Sequence, residues 1–76
     1  MSEPVILNWE RVMHKNVRSS DGVDAGNIIA ESGETFTILS GASREYRVPK
    51  DFVEGFNGSE VTLSLTYNYM LKFKVS

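Results

Sequence analysis

The only histidine in the 76-residue sequence, His14, shortly precedes Ser19, Ser20 and Asp21. Histidine, hydroxyl and carboxylate are the parts of a nucleophilic triad, in which the imidazole takes the hydroxyl proton while the carboxylate orients the ring. A triad also needs a sharp elbow for the nucleophile and backbone donors for the oxyanion. No glycine cluster of that kind surrounds these residues. His14 is therefore read as an exposed or boundary histidine after a helical turn. Asp21 and Asp24 flank Gly22, but the alternating oxygen ligands and closing Glu of a calcium loop are missing. They are read as turn formers. Cysteine is absent, which removes disulfides, thiol nucleophiles and zinc sites built on thiolates. No P-loop or dinucleotide fingerprint occurs. Asn57-Gly58-Ser59 matches a glycosylation sequon, yet Asn-Gly is first a hairpin turn. The expectation is no catalytic set, no metal and no cofactor: not an enzyme.

Two further sets would bind rather than react. Arg44, Arg47 and Lys50 gather around Tyr46, and Lys72 and Lys74 alternate near the end of the chain. Brought together, they form a basic strip with an aromatic platform, the arrangement used by single-strand binders. The competing reading is a solvated outer face whose lysines guard a sheet edge. Eight basic against ten acidic residues give a net charge of −2, which makes a nucleic-acid partner unlike the basic proteins that neutralise phosphate. The second set is apolar and falls outside the core pattern: Val5, Ile6, Leu7, Tyr67, Tyr69 and Met70. Aromatic residues and Met are enriched at protein interfaces. Val5 to Leu7 either cover the mouth of the fold or meet a partner.

The elements that must carry these residues are short. Asp21-Gly22, Ser32-Gly33, Ser40-Gly41 and Asn57-Gly58 punctuate runs rich in Val, Ile, Thr, Phe and Tyr. That rhythm predicts a sandwich or small barrel. Asn8 is positioned to cap a short helix over Trp9 to Met13, with Trp9, Val12 and Met13 on one face. A strand over Val5 to Leu7 is the alternative. A first strand is expected over 15–19 with Val17 inward, and a second over 25–31. Ile28 and Ile29 cannot both face one side of a flat strand, so a bulge or an exposed isoleucine is expected. A third strand over 35–40 puts Phe36 and Ile38 inward, and a fourth ends at Pro49 with Tyr46 and Val48 inward. Lys50 to Phe56 predicts a helical turn. Asn57-Gly58 leads into the final hairpin, with Glu60 to Thr66 as its first arm and a turn at Tyr67-Asn68. Its second arm, Tyr69 to Val75, carries Leu71, Phe73 and Val75 inward. The expected fold is all-β: a small antiparallel six-stranded barrel with one or two short helical turns.

One domain accounts for the whole chain, with an N-terminal segment at 1–14 and a barrel at 15–76. With 41% apolar and 24% charged residues, it has the composition of a folded chain, not a disordered one. No apolar run approaches the roughly 20 residues that span a bilayer. The start, Met1-Ser2-Glu3-Pro4, lacks the charged and apolar regions of a signal peptide. A cytoplasmic location is the expectation.

Three pieces resemble the PRC-barrel superfamily, whose domain is SH3-like. Lys15 to Gly22 followed by Gly26-Asn27-Ile28 is similar to its opening of a Val-bearing strand, an Asp-Gly turn and a Gly-x-Ile/Val second strand. Arg44 to Val53 resembles its aromatic-x-Val/Ile-Pro segment leading into a helical turn. Asn57-Gly58 to Leu65 resembles the closing run. Together the pieces span about Lys15 to Leu65; Val5 to Met13 and Tyr67 to Met70 fall outside the pattern. The superfamily includes the cytoplasmic barrel of a photosynthetic reaction-centre subunit, the C-terminal domain of a ribosome-maturation factor, and stand-alone archaeal adaptors of cell division. The resemblance implies a short stand-alone, archaeal-type member. It would be a non-catalytic protein-interaction adaptor in cell division, pairing as a homo- or heterodimer with a similar barrel. The alternative is an RNA- or ribosome-associated module using the basic and aromatic face.

Overall fold

The computed structural model describes residues 8–41 and 43–75. The Val5, Ile6 and Leu7 set lies outside the described residues. Six strands form one sheet: β1 (Asn16–Arg18), β2 (Asp24–Ser32), β3 (Thr35–Ser40), β4 (Arg44–Pro49), β5 (Val53–Phe56) and β6 (Glu60–Leu63). Their spatial order is β4-β3-β2-β1-β6-β5. Four neighbouring pairs are antiparallel, whereas β1 and β6 run parallel, with Val17 opposite Val61. The sheet is therefore mixed, not wholly antiparallel. Alternation reports which face a side chain takes and carries no information on the direction of the neighbouring strand.

The sheet is also open. Among the described residues β4 and β5 do not pair with each other. The outer side of β4 carries one antiparallel bridge, between Tyr46 and Lys74, and the Val75 N–H donates to the Glu45 carbonyl at 2.8 Å.

The inward residues of the strands meet in one core. Val17, Ile28, Phe36, Ile38, Val48, Val61 and Leu63 are fully buried. Each such side chain stabilises the fold by about 1.5–3 kcal/mol relative to leaving it exposed. The two isoleucines resolve as a bulge. Ile28 pairs with Ile38 and Ala30 with Thr37, so Ile29 is the extra residue, half-buried beside its buried neighbour. Gly26 sits at φ +118°, and a Cβ there would collide with the Leu39 carbonyl oxygen. Its lack of a side chain lets β2 and β3 approach closely.

Asn8 caps a 3-10 turn over Trp9–Val12, its side chain accepting from the Glu10 N–H at 3.0 Å. Val12 is buried, and Trp9 and Met13 pack against the core. The helical turn after Pro49 is shorter than expected. It covers only Lys50–Phe52, and Val53–Phe56 is β5, paired with β6 across the Asn57-Gly58 turn.

The largest departure is at the end of the chain. No strand forms from Tyr69 to Val75. Tyr67–Met70 is a single α-helical turn, α1, followed by a 3-10 turn over Leu71–Phe73. Thr66 starts it, accepting from the Tyr69 N–H through its side chain at 3.2 Å and from the Met70 N–H through its carbonyl at 3.0 Å. Leu71 and Val75, expected inward, are exposed. Six strands are present, but β5 takes the place of the expected last arm.

Candidate interaction surface

The C-terminal turns are held from one side by the β1–β2 turn. Asp21 accepts hydrogen bonds from the Ser19 hydroxyl and, at 3.2 Å, from the Tyr67 N–H. The Ser20 N–H donates to the Leu65 carbonyl at 2.8 Å. The Ser19 hydroxyl first, and then the Tyr67 N–H, hold the Asp21 carboxyl below its ordinary value. On the inner side of α1, Met70 is fully buried. That corrects its placement in the apolar set outside the core. A single helical turn directs Tyr67 and Met70 to the same side, and Tyr67 is half-buried against the core.

Beside α1 stands a cluster of three rings, of which Tyr69 is exposed and Phe52 and Phe73 are half-buried against the core. Phe52 meets Tyr69 edge-on at 6.0 Å and Phe73 at 5.8 Å, and Tyr69 and Phe73 are 5.8 Å apart. These separations are in the range of stabilising aromatic pairs. The Lys72 ammonium lies 5.1 Å from the centre of the Tyr69 ring. Among the described residues four large apolar side chains are exposed, Val23, Tyr69, Leu71 and Val75, and three of them fall within this one stretch. Scattered apolar exposure is ordinary, whereas here it is concentrated beside an aromatic cluster.

Of the expected apolar set, Tyr69 is at the surface, Tyr67 is half-buried and Met70 is in the core. Leu71 and Val75 are at the surface instead, while Phe52 and Phe73 are half-buried against the core. Helical spacing was the available signal: Tyr67 with Met70 and Tyr69 with Phe73 stand three and four residues apart, behind a capping threonine.

The basic and aromatic set does not assemble as a stacking platform. Tyr46 is only 1% exposed, because it points inward from β4 with Val48. Arg44 and Arg47 are exposed. Lys50 is engaged elsewhere, 2.6 Å from the Glu31 carboxylate and 4.7 Å from the centre of the Trp9 ring. Lys72 stands over Tyr69, and Lys74 is exposed beside the edge of β4.

The residues considered for catalysis have structural partners. His14 is exposed at φ +65°, with its N–H donating to the Ile28 carbonyl at 2.7 Å. Ser19 is buried between Asp21 and Val23. Asp24 accepts from the Gly26 N–H at 3.0 Å, and Asn57 accepts from the N–H groups of Ser59 and Glu60. An open cleft of about 430 Å³, lined by Asp24, Gly26, Asn27, Leu39, Ser40 and Gly41, contains no pair of titratable side chains. Among the described residues no helix is long and apolar enough to cross a membrane. Comparison with family models, with curated proteins and with solved structures finds no match.

Proposed function

We propose that this chain is a non-catalytic protein-interaction module whose contact surface is the C-terminal aromatic patch. The observation that carries the reading is the concentration of Tyr69, Leu71 and Val75 at the surface beside the Phe52–Tyr69–Phe73 ring cluster. Rings already packed on one another lose little freedom on contact, so their burial contributes efficiently to binding. The resemblance of Lys15 to Leu65 to the PRC-barrel superfamily supports an adaptor role of the kind its archaeal cell-division members have. It also supports reading the open sheet as a variant of that small barrel and the cytoplasm as its place of action. The RNA-associated alternative is weakened by the burial of Tyr46, which removes its stacking platform.

Site-specific photo-crosslinking tests the reading. A photoreactive phenylalanine derivative replaces Leu71 in one sample and Glu34, on the β2–β3 turn, in another, and both are irradiated in the producing cell. Discrete protein adducts from position 71 and none from position 34 are expected. Equal or absent crosslinking from the two positions overturns the reading.

A further inference from the structure

Resting on the reading of the aromatic patch as a protein contact, we infer that its partner is a second copy of this chain, docked about a two-fold axis. The argument is the charge around the patch. Two chain segments build it, one around Phe52 and one around Phe73, whose rings are 5.8 Å apart. The first segment brings two exposed acids, Asp51 and Glu54, and the second brings two exposed bases, Lys72 and Lys74. Among the described residues the ion pairs are Arg18–Glu60 and Lys50–Glu31. None of the four flanking charges is used in one, so both signs remain available to a partner. Lys72 lies over the Tyr69 ring, a contact that leaves its charge unneutralised.

An apolar centre with one acidic and one basic flank is complementary to itself. In an isologous contact, residue i of one copy meets residue j of the other and the reverse. Asp51 and Glu54 of each copy then face Lys72 and Lys74 of the other, around the paired ring clusters. A partner of uniform charge would be attracted by one flank and repelled by the other. The chain itself matches both. Burying the exposed Tyr69, Leu71 and Val75 drives association, and the flanking charges fix the orientation.

The test is a charge swap read by sedimentation velocity across a concentration series. One variant carries Asp51→Lys and Glu54→Lys; the other carries Lys72→Glu and Lys74→Glu. Each alone sets like charge against like charge at both flanks. Mixed, they restore opposite charge at both. The wild-type chain is expected to dimerise. Each variant alone should dimerise at least about tenfold more weakly, and the mixture should recover most of the wild-type affinity. Far-UV circular dichroism identifies a variant that has failed to fold. In that case the single reversals Glu54→Lys and Lys72→Glu are mixed instead, with the same recovery expected. A wild-type chain that stays monomeric at every concentration overturns the inference, as does a mixture no stronger than its components. The underlying reading fails separately: a monomer that still crosslinks to another protein from position 71 keeps the patch and loses the second copy. A dimer unaffected by Tyr69→Ala with Leu71→Ala loses the patch itself.

Discussion

Two lysines in this protein stand over aromatic rings, and their surroundings are opposite. Lys50 lies over Trp9, which packs at 5.0 Å on Phe36, a fully buried ring. Its ammonium is paired with Glu31. Lys72 lies over Tyr69, which packs on Phe52 and Phe73, and among the described residues no carboxylate pairs with it. The first cluster is closed: its ring rests on the core and its charge is neutralised within the chain. The second is open on one side: Phe52 and Phe73 rest on the core, but Tyr69, Leu71 and Val75 and charges of both signs are exposed. Similar side chains thus act as a core cover in one place and form the proposed contact surface in the other. Both clusters rest on the core, and what separates them is the ion pair at Lys50 and the exposure of Tyr69, Leu71 and Val75.

Core truncation gives the largest expected effect and sharpens the contrast. Phe36→Ala should destabilise the chain by about 3–5 kcal/mol, read by urea unfolding, because it removes the floor of the closed cluster. Met70→Ala, at the base of α1, should cost about 2–5 kcal/mol by the same measurement, since Met70 is fully buried. Tyr69→Ala, one residue away and 42% exposed, should cost about 0.5 kcal/mol while weakening association. Equal costs at positions 69 and 70 would break the division between core and surface. The two lysines come next. Lys50→Ala loses an ion pair and a cation–π contact and should cost about 1 kcal/mol, whereas Lys72→Ala should cost about 0.5 kcal/mol or less. A larger loss at Lys72 would show that the open cluster is also structural.

The smallest effect is the pH dependence of the Asp21 clasp. Its folded-state carboxyl titrates below its ordinary value of 3.8, chiefly through the Ser19 hydroxyl. The stability it contributes is therefore present above that value and is lost as pH falls through the lower folded value. Unfolding curves for wild type and Asp21→Asn should converge at the acid end and separate above pH 3.8. A gap that does not change with pH would mean that the carboxylate charge does not hold α1.

Legibility in the sequence followed how local the controlling interactions are. The third strand, Thr35 to Ser40, was readable to the residue, since its alternation lies between two glycine turns. The Asn8 cap and the stop at Pro49 were readable too, because each depends on neighbouring atoms. The Ile28-Ile29 pair announced a bulge without placing it. The patch was only partly readable. Tyr69 was anticipated, and Phe73, assigned inward, does pack against the core, but Leu71 and Val75 were assigned inward with it because Leu71-Lys72-Phe73-Lys74-Val75 alternates as a strand does. The Thr66 cap and the packing of Met70 outweighed that alternation.

The sequence by itself determined a small, mostly β chain, its turns, and most of the inward residues from Val17 to Leu65. These follow from backbone preference and from a two-residue period that each segment carries alone. Only the tertiary structure decided that β1 lies parallel to β6, that Val53–Phe56 is a strand, and that the last residues fold as helical turns. Each of those outcomes depends on a partner distant in the chain: Val61 for Val17, Leu63 for Val53, Asp21 for Tyr67. The same distant contacts bring Phe52 to Tyr69 and Phe73, so the proposed contact surface exists only once the chain has closed on itself.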